Sequence, residues 1–442
     1  MPFDFLKYLQ PTHYFQLYTK TGRSVFPMVE SLPNAVIEQL DGDSDFESHL
    51  AKQYDLSWQA IQNGYVGDVS TYSDFEGVSI KDNYHFIRKY FNQTWVFYVL
   101  LLRLFSLKNP FIELSGWYKT RPVNRVLIKG VSIYDDDYRN FKSALITDSP
   151  KVSIVIPTLN RYTYLQDVLK DLEQQDYKNF EVIVVDQSDP FNGLFYNDFE
   201  LDIRLIKQEE KALWLARNTA IRHAKGEIIA LSEDDVRIQS NWLSEHLKCL
   251  DYFKVQVSAG VFYPEGQPLP KERSFFAVAS QFATGNAMFY RDICKTIGLF
   301  DRQFEKQRMG DGEFGLRLYL ADIKSISNPK ASCIDVKAGE GGLRDMGSWD
   351  AFRPSNFFAP RPIPSVLYFF RRYFGSKASK LALLRMIPLS ILPYQFKKNK
   401  PMLLLGVLVS VLILPLVIYQ VFKSWHLASK KIKLGPLIEQ LT

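Results

Sequence analysis

Cysteine is scarce in this chain, with three in 442 residues, Cys249, Cys294 and Cys333, far apart and without a CxxC pair. That excludes a disulfide framework or a cysteine-built zinc site and points to free thiols in a reducing compartment. No GxGxxG follows the first apolar strand-like run and no GxxxxGK[ST] occurs, which disfavours dinucleotide and P-loop sites. The opening "MPFDFLKYLQ" carries charges where a secretory leader needs an apolar run, so export is not expected. Acid is nearly missing from Ala359 onward: 13 Lys/Arg face the single Glu439, against 41 Lys/Arg and 47 Asp/Glu in the rest. The basic charge lies among apolar runs rather than on a polar face, so a membrane surface is the expected partner and nucleic acid is not.

Hydrophobic residues make up 46% and charged residues 23% of the sequence, as in a folded protein, and the length calls for more than one core. Three regions are expected. Residues 1–150 mix helical stretches with strand-like pieces such as "RVLIKGVSIY", an α+β region without a chemical motif. Residues 151–350 alternate buried strands ("VSIVIP", "FEVIVVD", "IRLIK", "EIIALSEDD") with amphipathic helices ("RYTYLQDVLKDLEQQD", "ALWLARNTAIRHAKG"). That alternation predicts an α/β domain with a mostly parallel sheet and helices on both faces.

Residues 351–442 form a basic, aromatic helical tail. Its apolar run 402–422 has no charge over a length that just spans a bilayer as one helix, with Pro415 able to kink it or turn it back. A buried helical hairpin is the alternative. The shorter "WVFYVLLLRLFSL" from Trp95 is either core or a second interfacial patch.

In open α/β sheets ligands bind beyond the carboxyl ends of the strands. Three polar clusters follow three strands: Thr158, Asn160 and Arg161; Asp186 and Ser188; and Glu233, Asp234 and Asp235. Three adjacent acids repel unless a cation sits among them, so "EDD" is a solvated turn, a helix cap or a metal site. With Mg²⁺ or Mn²⁺ it would anchor a diphosphate and stabilise a departing nucleoside diphosphate.

"VSIVIPTLNR", "FEVIVVDQS", "ARNTAIRHAKGEIIALSEDD" and "GLFDRQFEKQRMGDGEFGLRL", over about 152–345, together resemble the successive motifs of family-2 glycosyltransferases of the membrane-associated bacterial type, with the GT-A nucleotide-sugar fold. The resemblance implies that Thr158, Asn160, Arg161 and Asp186, with Ser188 beside them, surround the nucleotide. It implies that Arg217 and Asn218 lie on the nucleotide-binding helix, and that Glu233, Asp234 and Asp235 stand at the DxD-type motif with Asp235 as metal ligand. Asp311 would deprotonate the acceptor hydroxyl, with Glu313 and Arg317 near it on one helix, and Gly285 and Asn286 would border sugar and acceptor.

Where many relatives place a metal-binding His, Asp335 stands, and a carboxylate binds the same hard cation. No QxxRW follows Asp311, which argues for one sugar per encounter. The expected activity is inverting transfer from a nucleotide-diphosphate sugar to a glycan or lipid-linked hydroxyl at the cytoplasmic face of the cell membrane. The alternative is a catalytically impaired membrane-bound scaffold or nucleotide-sugar-binding module of the same fold.

Overall fold

The computed structural model describes residues 1–127, 133–338, 356–392, 396 and 399–441. The chain divides into two compact units, Met1–Ile133 with Phe374–Arg385, and Tyr134–Tyr373 with Met386–Thr442. The first boundary falls before the expected 150, and the tail forms no third unit.

The first unit is helical. Helices α1 (His49–Gln62), α2 (Ile80–Tyr90), α3 (Gln93–Phe105) and α4 (Pro110–Lys119) each begin at a side-chain cap, from Ser48, Ser79, Asn92 and Asn109, which satisfies amides the helix leaves open. Among the described residues its β structure is one bridge, Pro27 with Thr71. The expected strand content is therefore not realised: Arg125–Leu127 of "RVLIKGVSIY" are not strand, and 128–132 lie outside the described residues. Stacked aromatics replace a sheet as the core, with Phe3 on Phe86 at 3.9 Å and Trp58 edge-on to Phe86 at 5.2 Å. The buried Lys89 ammonium lies between Asp43 (2.9 Å) and Asp55 (2.7 Å). A cavity of about 390 Å³ beside it is lined by Asp43, Lys81, His85, Lys89 and Lys119.

The second unit is built on a nine-stranded sheet. Its strands are β1 (Val152–Thr158), β2 (Phe180–Asp186), β3 (Ile203–Lys207), β4 (Ile228–Ser232), β5 (Val236–Ile238), β6 (Val257–Pro264), β7 (Ala277–Val278), β8 (Asn286–Tyr290) and β9 (Ser325–Asp335). They run in the order β3-β2-β1-β4-β8-β6-β9-β5, with β7 beside β9. The half from β3 to β4 is parallel, as the apolar runs of β1, β2 and β4 predict. Beyond β4 the expectation of a mostly parallel sheet gives way to a mixed one: β8 is antiparallel to β4 and β6, and β5 and β7 to β9.

Helix α5 (Tyr162–Glu173) buries Leu165, Val168, Leu169 and Leu172, the spacing of one helical face. Helices α6 (Leu213–His223), α7 (Trp242–Tyr252) and α8 (Gly310–Leu320) complete the layers around the sheet.

Two details position the site. The chain runs β1 to β2 to β3 in one direction, then returns to place β4 on the other side of β1, so the switch point lies between β1 and β4. The β1–β4 pairing ends at Val155 with Leu231, while β1 and β2 stay paired to Thr158 with Asp186. Pro157, which has no N–H to donate, falls where the pairing with β4 has already stopped. The strand ends therefore part and leave a crevice.

The tail does not form one 21-residue span. A break at Ile413 separates α10 (Lys400–Leu412) from α11 (Leu414–Leu434), which meet at 86°, and no single described helix is long and apolar enough to cross a membrane. Before them α9 (Pro364–Met386) breaks at Gly375, whose φ of 78° lies in the left-handed region. Much of the tail is joined to the sheet unit. Ser365 N–H donates to Gln307 Oε1 (3.0 Å) and Lys431 Nζ to the Gln303 carbonyl (2.6 Å), while within the tail Arg371 stacks on Trp425 at 4.2 Å. Leu299 N–H donates to the Glu439 carbonyl (2.8 Å), and Leu437 N–H to Asp301 Oδ1 (2.9 Å).

Candidate active site

The crevice between β1 and β4 is bridged by one hydroxyl: Thr158 Oγ1, at the end of β1, donates to Asp234 Oδ2 at 2.8 Å. Arg161, in the turn before α5, aims its guanidinium at the same place. Nη1 lies 3.0 Å from Asp234 Oδ1 and 3.1 Å from Asp235 Oδ2. The cation that adjacent carboxylates demand is thus partly supplied by the chain itself. Asp235 Oδ2 also accepts from the Ala338 amide (3.2 Å).

Burial, with repulsion from Asp235 added, raises the Asp234 carboxyl to about 6 despite Arg161 and Thr158. Asp235 is raised too, first by burial and then by the charge of Glu233, with Asp335 adding to it. Asp335 reaches the cluster because β5 and β9 are antiparallel, with Val236 opposite Asp335. A hundred residues of separation in sequence are closed by one strand pair.

The loops after β1 and β2 are tied together. Asn160, at a left-handed φ of 56° that Asn tolerates, donates its N–H to Ser188 Oγ (2.8 Å) and accepts from the Asp189 amide (2.9 Å). Asp186 is fully buried, accepting from the Ser188 amide and from the hydroxyls of Tyr162 and Tyr196, each at 2.8 Å. The two tyrosines were not singled out from sequence, because nothing local marks a tyrosine as the lid of a carboxylate.

Arg217 on α6 is fully buried, with Nη2 at 3.2 Å from the Thr284 carbonyl and 3.4 Å from Glu233 Oε1, and its guanidinium stacks on Trp214 at 5.3 Å. Gly310, which opens α8, lies against the same indole: a Cβ there would come within 2.3 Å of Trp214. Asp311 is thereby seated, half-buried, in the first turn of α8. The Trp214 indole thus packs between Gly310 and Arg217, while Asp311 Oδ1 accepts from the Gly312 amide at 2.8 Å. Glu305, also unmarked in sequence, caps α6 by accepting from the Leu215 and Trp214 amides at 2.8 and 3.2 Å.

Four expected residues are turned away from the crevice. Asn218 exchanges two 2.9 Å hydrogen bonds with the Phe300 backbone. Asn286 is fully buried: Oδ1 accepts from Trp242 Nε1 (2.8 Å) and pairs with His246 Nε2 (2.9 Å), while Nδ2 donates to the Ala331 carbonyl (2.8 Å). Glu313 and Arg317 form an internal pair (2.9 Å), and Arg317 also holds the Leu299 carbonyl at 2.9 Å while Tyr373 donates to Glu313. Each is a buried polar group satisfied within the protein, which is a role in packing. Gly285, in contrast, borders the crevice, since a Cβ would come within 2.6 Å of Glu233 Cγ.

Residues 153–305 match the family model for glycosyl transferase family 2. This part of the chain is a family 2 glycosyltransferase domain. The domain is 26% identical over 163 residues to glycosyltransferase GlyA of Streptococcus pneumoniae, covering 36% of this chain and 22% of that protein. It is 30% identical over 176 residues to the GalNAc(5)-diNAcBac-PP-undecaprenol beta-1,3-glucosyltransferase of Campylobacter jejuni, covering 38% and 56%. This chain therefore spans from about a fifth to just over half of these relatives. Among solved structures, the mannosyltransferase PcManGT of Pyrobaculum calidifontis in complex with GDP-Man and Mn²⁺ is 18% identical, covering 67% of this chain and 91% of that one, with a TM-score of 0.44.

Among the described residues no group of three or more His, Cys, Asp or Glu side chains is placed to hold a metal ion by itself. Asp235 and Asp335 nonetheless fit a hard divalent cation that takes its remaining ligands from a diphosphate. Both are oxygen donors, and Asp235 is held above its ordinary range partly by neighbouring negative charge that a cation would relieve.

Proposed function

We propose that the protein is an inverting glycosyltransferase that moves a sugar from a nucleotide-diphosphate sugar to a hydroxyl on a glycan or lipid-linked acceptor. The observation that carries this is the carboxylate cluster at the β1–β4 switch point, with Arg161 as its resident cation.

In this reading the loops bearing Asn160, Arg161, Asp186 and Ser188 receive the nucleotide, and the diphosphate lies toward Glu233, Asp234 and Asp235. A bound Mg²⁺ or Mn²⁺, held by Asp235 and Asp335, would supply positive charge to the leaving diphosphate. Arg161 adds charge from the protein side, and its two-carboxylate grip orients it. Gly285 leaves room for Glu233 at the edge of the sugar site. Asp311 takes the proton of the acceptor hydroxyl as that oxygen bonds to the anomeric carbon. The bond from that carbon to the phosphate oxygen breaks on the opposite side, its electron pair leaves with the nucleoside diphosphate, and the configuration inverts. One base and no protein nucleophile are needed, and no cysteine is required.

A membrane-held acceptor at the cytoplasmic face fits two features. The outer faces of α10 and α11 leave Leu404, Leu408, Val411, Leu412 and Phe422 exposed beside basic residues. The Campylobacter relative is named for an undecaprenol-linked substrate.

The test is Asp311→Asn assayed against a panel of nucleotide sugars. Transfer falls by at least about a thousandfold while nucleotide affinity stays within about twofold, as expected for a group used only in the transition state. Retained transfer sinks the assignment of the base. Absence of any nucleotide-sugar binding by the parent protein sinks the reading as a whole.

A further inference from the structure

The first unit carries an apolar surface that the reading above does not use. Helices α3 and α4 pack as a hairpin, fastened inside by Arg103, whose Nε donates to Glu113 Oε1 at 2.8 Å, and by the Tyr84 hydroxyl on Glu113 Oε2 at 2.9 Å. Outside, α3 presents Phe97, Leu101 and Phe105, four residues apart on one face, and α4 presents Phe111, Leu114 and Tyr118. The tip is the most exposed part: Phe105 is 81%, Leu107 94% and Phe111 82% exposed. Large apolar side chains gathered like this on a folded surface mark a contact with something apolar.

The charges around the hairpin select the occupant. Between Gln93 and Leu127 the one acid is Glu113, and it is buried against Arg103. The remaining charges are Lys108, Lys119, Arg121 and Arg125, all basic. Arg121 lies over the rings of Trp117 and Tyr118 at 5.9 and 5.7 Å, where a guanidinium and amphipathic rings share one layer. The acids Asp43 and Asp45 lie beside Lys119 at the base of the hairpin, at the end of α4 away from the tip. An apolar tip and an aromatic and basic collar, with no exposed acid in the segment itself, match the layers of a bilayer with anionic headgroups, whereas a second copy of this surface would meet it with like charge. We propose that the α3–α4 hairpin is an interfacial membrane anchor, docking on anionic lipid with Phe105, Leu107 and Phe111 among the acyl chains. This anchor lies in the first unit, in a different part of the sequence from α10 and α11.

Leu107→Cys in the full chain, labelled with an environment-sensitive fluorophore, reads the tip directly. The three native cysteines are buried, so the label goes to the new one. Phosphatidylcholine vesicles with about a third phosphatidylglycerol shift the emission to the blue, and pure phosphatidylcholine vesicles at the same lipid concentration do so much more weakly. Adding Phe105→Ser and Phe111→Ser to the labelled chain weakens that response by at least about tenfold in lipid concentration, with the thermal melt unchanged because both side chains are already in solvent. An unshifted label on protein that still sediments with vesicles overturns the proposal and leaves attachment to the tail. A shift without lipid that grows with protein concentration overturns it in favour of self-association. Equal responses to neutral and anionic vesicles overturn the charge argument.

Discussion

Arg161 is the side chain whose removal most directly tests the site. Its Nη1 serves Asp234 and Asp235 at 3.0 and 3.1 Å, and the side chains of all three are largely out of water. Arg161→Met keeps the length and apolar stem and deletes the charge. Two carboxylates, with Glu233 close by, then face each other across a buried gap.

At about pH 8 the variant escapes by binding a proton, and this limits the damage. With Asp234 already raised to about 6, protonating it about two units higher costs about 3 kcal/mol. The sign follows from the direction of the shift. A carboxyl raised in the folded state opposes folding above its unfolded value of 3.8, and that penalty grows until pH passes the folded value. Removing Arg161 raises the folded value further, so the extra penalty appears above about pH 6 and fades below it. At about pH 5 Asp234 is protonated in both proteins, and the loss shrinks to lost hydrogen bonds, about 1 kcal/mol. Urea unfolding of both proteins at the two pH values measures the difference. A destabilisation equal at both, or none at pH 8, refutes the account of Arg161 as counterion to the pair. Millimolar Mn²⁺ restores part of the loss at pH 8 if the carboxylates accept a divalent cation.

Metal-dependent binding of a nucleoside diphosphate strengthens as pH rises from about 5 to 7 and releases protons, because Asp234 and Asp235 are raised and must ionise to favour a cation; isothermal titration in two buffers of different ionisation enthalpy detects this. Binding indifferent to EDTA returns the acids to a metal-free role. Asn286→Ala strands buried partners on Trp242, His246 and the Ala331 carbonyl and costs roughly 3 kcal/mol of stability, read by denaturant unfolding. A neutral effect there would mean the polar network is dispensable. Deleting residues from Gly435 lowers the melting temperature of the sheet unit, since Leu437 and Glu439 hydrogen-bond to residues 299–302; an unchanged melt refutes their structural part. Deletion is for that reason a poor assay of membrane attachment by the tail.

Much of the catalytic half was legible in the sequence because its information is local. The strands β1, β2 and β4 are largely apolar runs, as expected of a sheet covered on both faces, and polar residues after each run fall on one edge once the sheet is parallel. Thr158, Arg161, Asp186 and the three acids were found that way, and the structure brings Thr158, Arg161, Asp234 and Asp235 into direct contact. Side-chain direction was not local. Asn286, Asn218, Glu313 and Arg317 lie in motifs that border a site, yet their neighbours in space claim their polar atoms. The antiparallel half of the sheet escaped for the same reason: short strands such as Val236–Ile238 carry too few residues to show a period.

The sequence alone determined that the tail is basic and apolar and that three acids stand together after β4, since charge and hydrophobicity are properties of residues wherever they sit. The tertiary structure decided which basic side chain faces the acids, that a break at Ile413 divides the apolar run into two helices, and that Asp335 pairs with Val236, the residue after Asp235. Those answers depend on strand register and helix breaks, which arise from contacts between distant segments and have no counterpart in any single stretch of sequence.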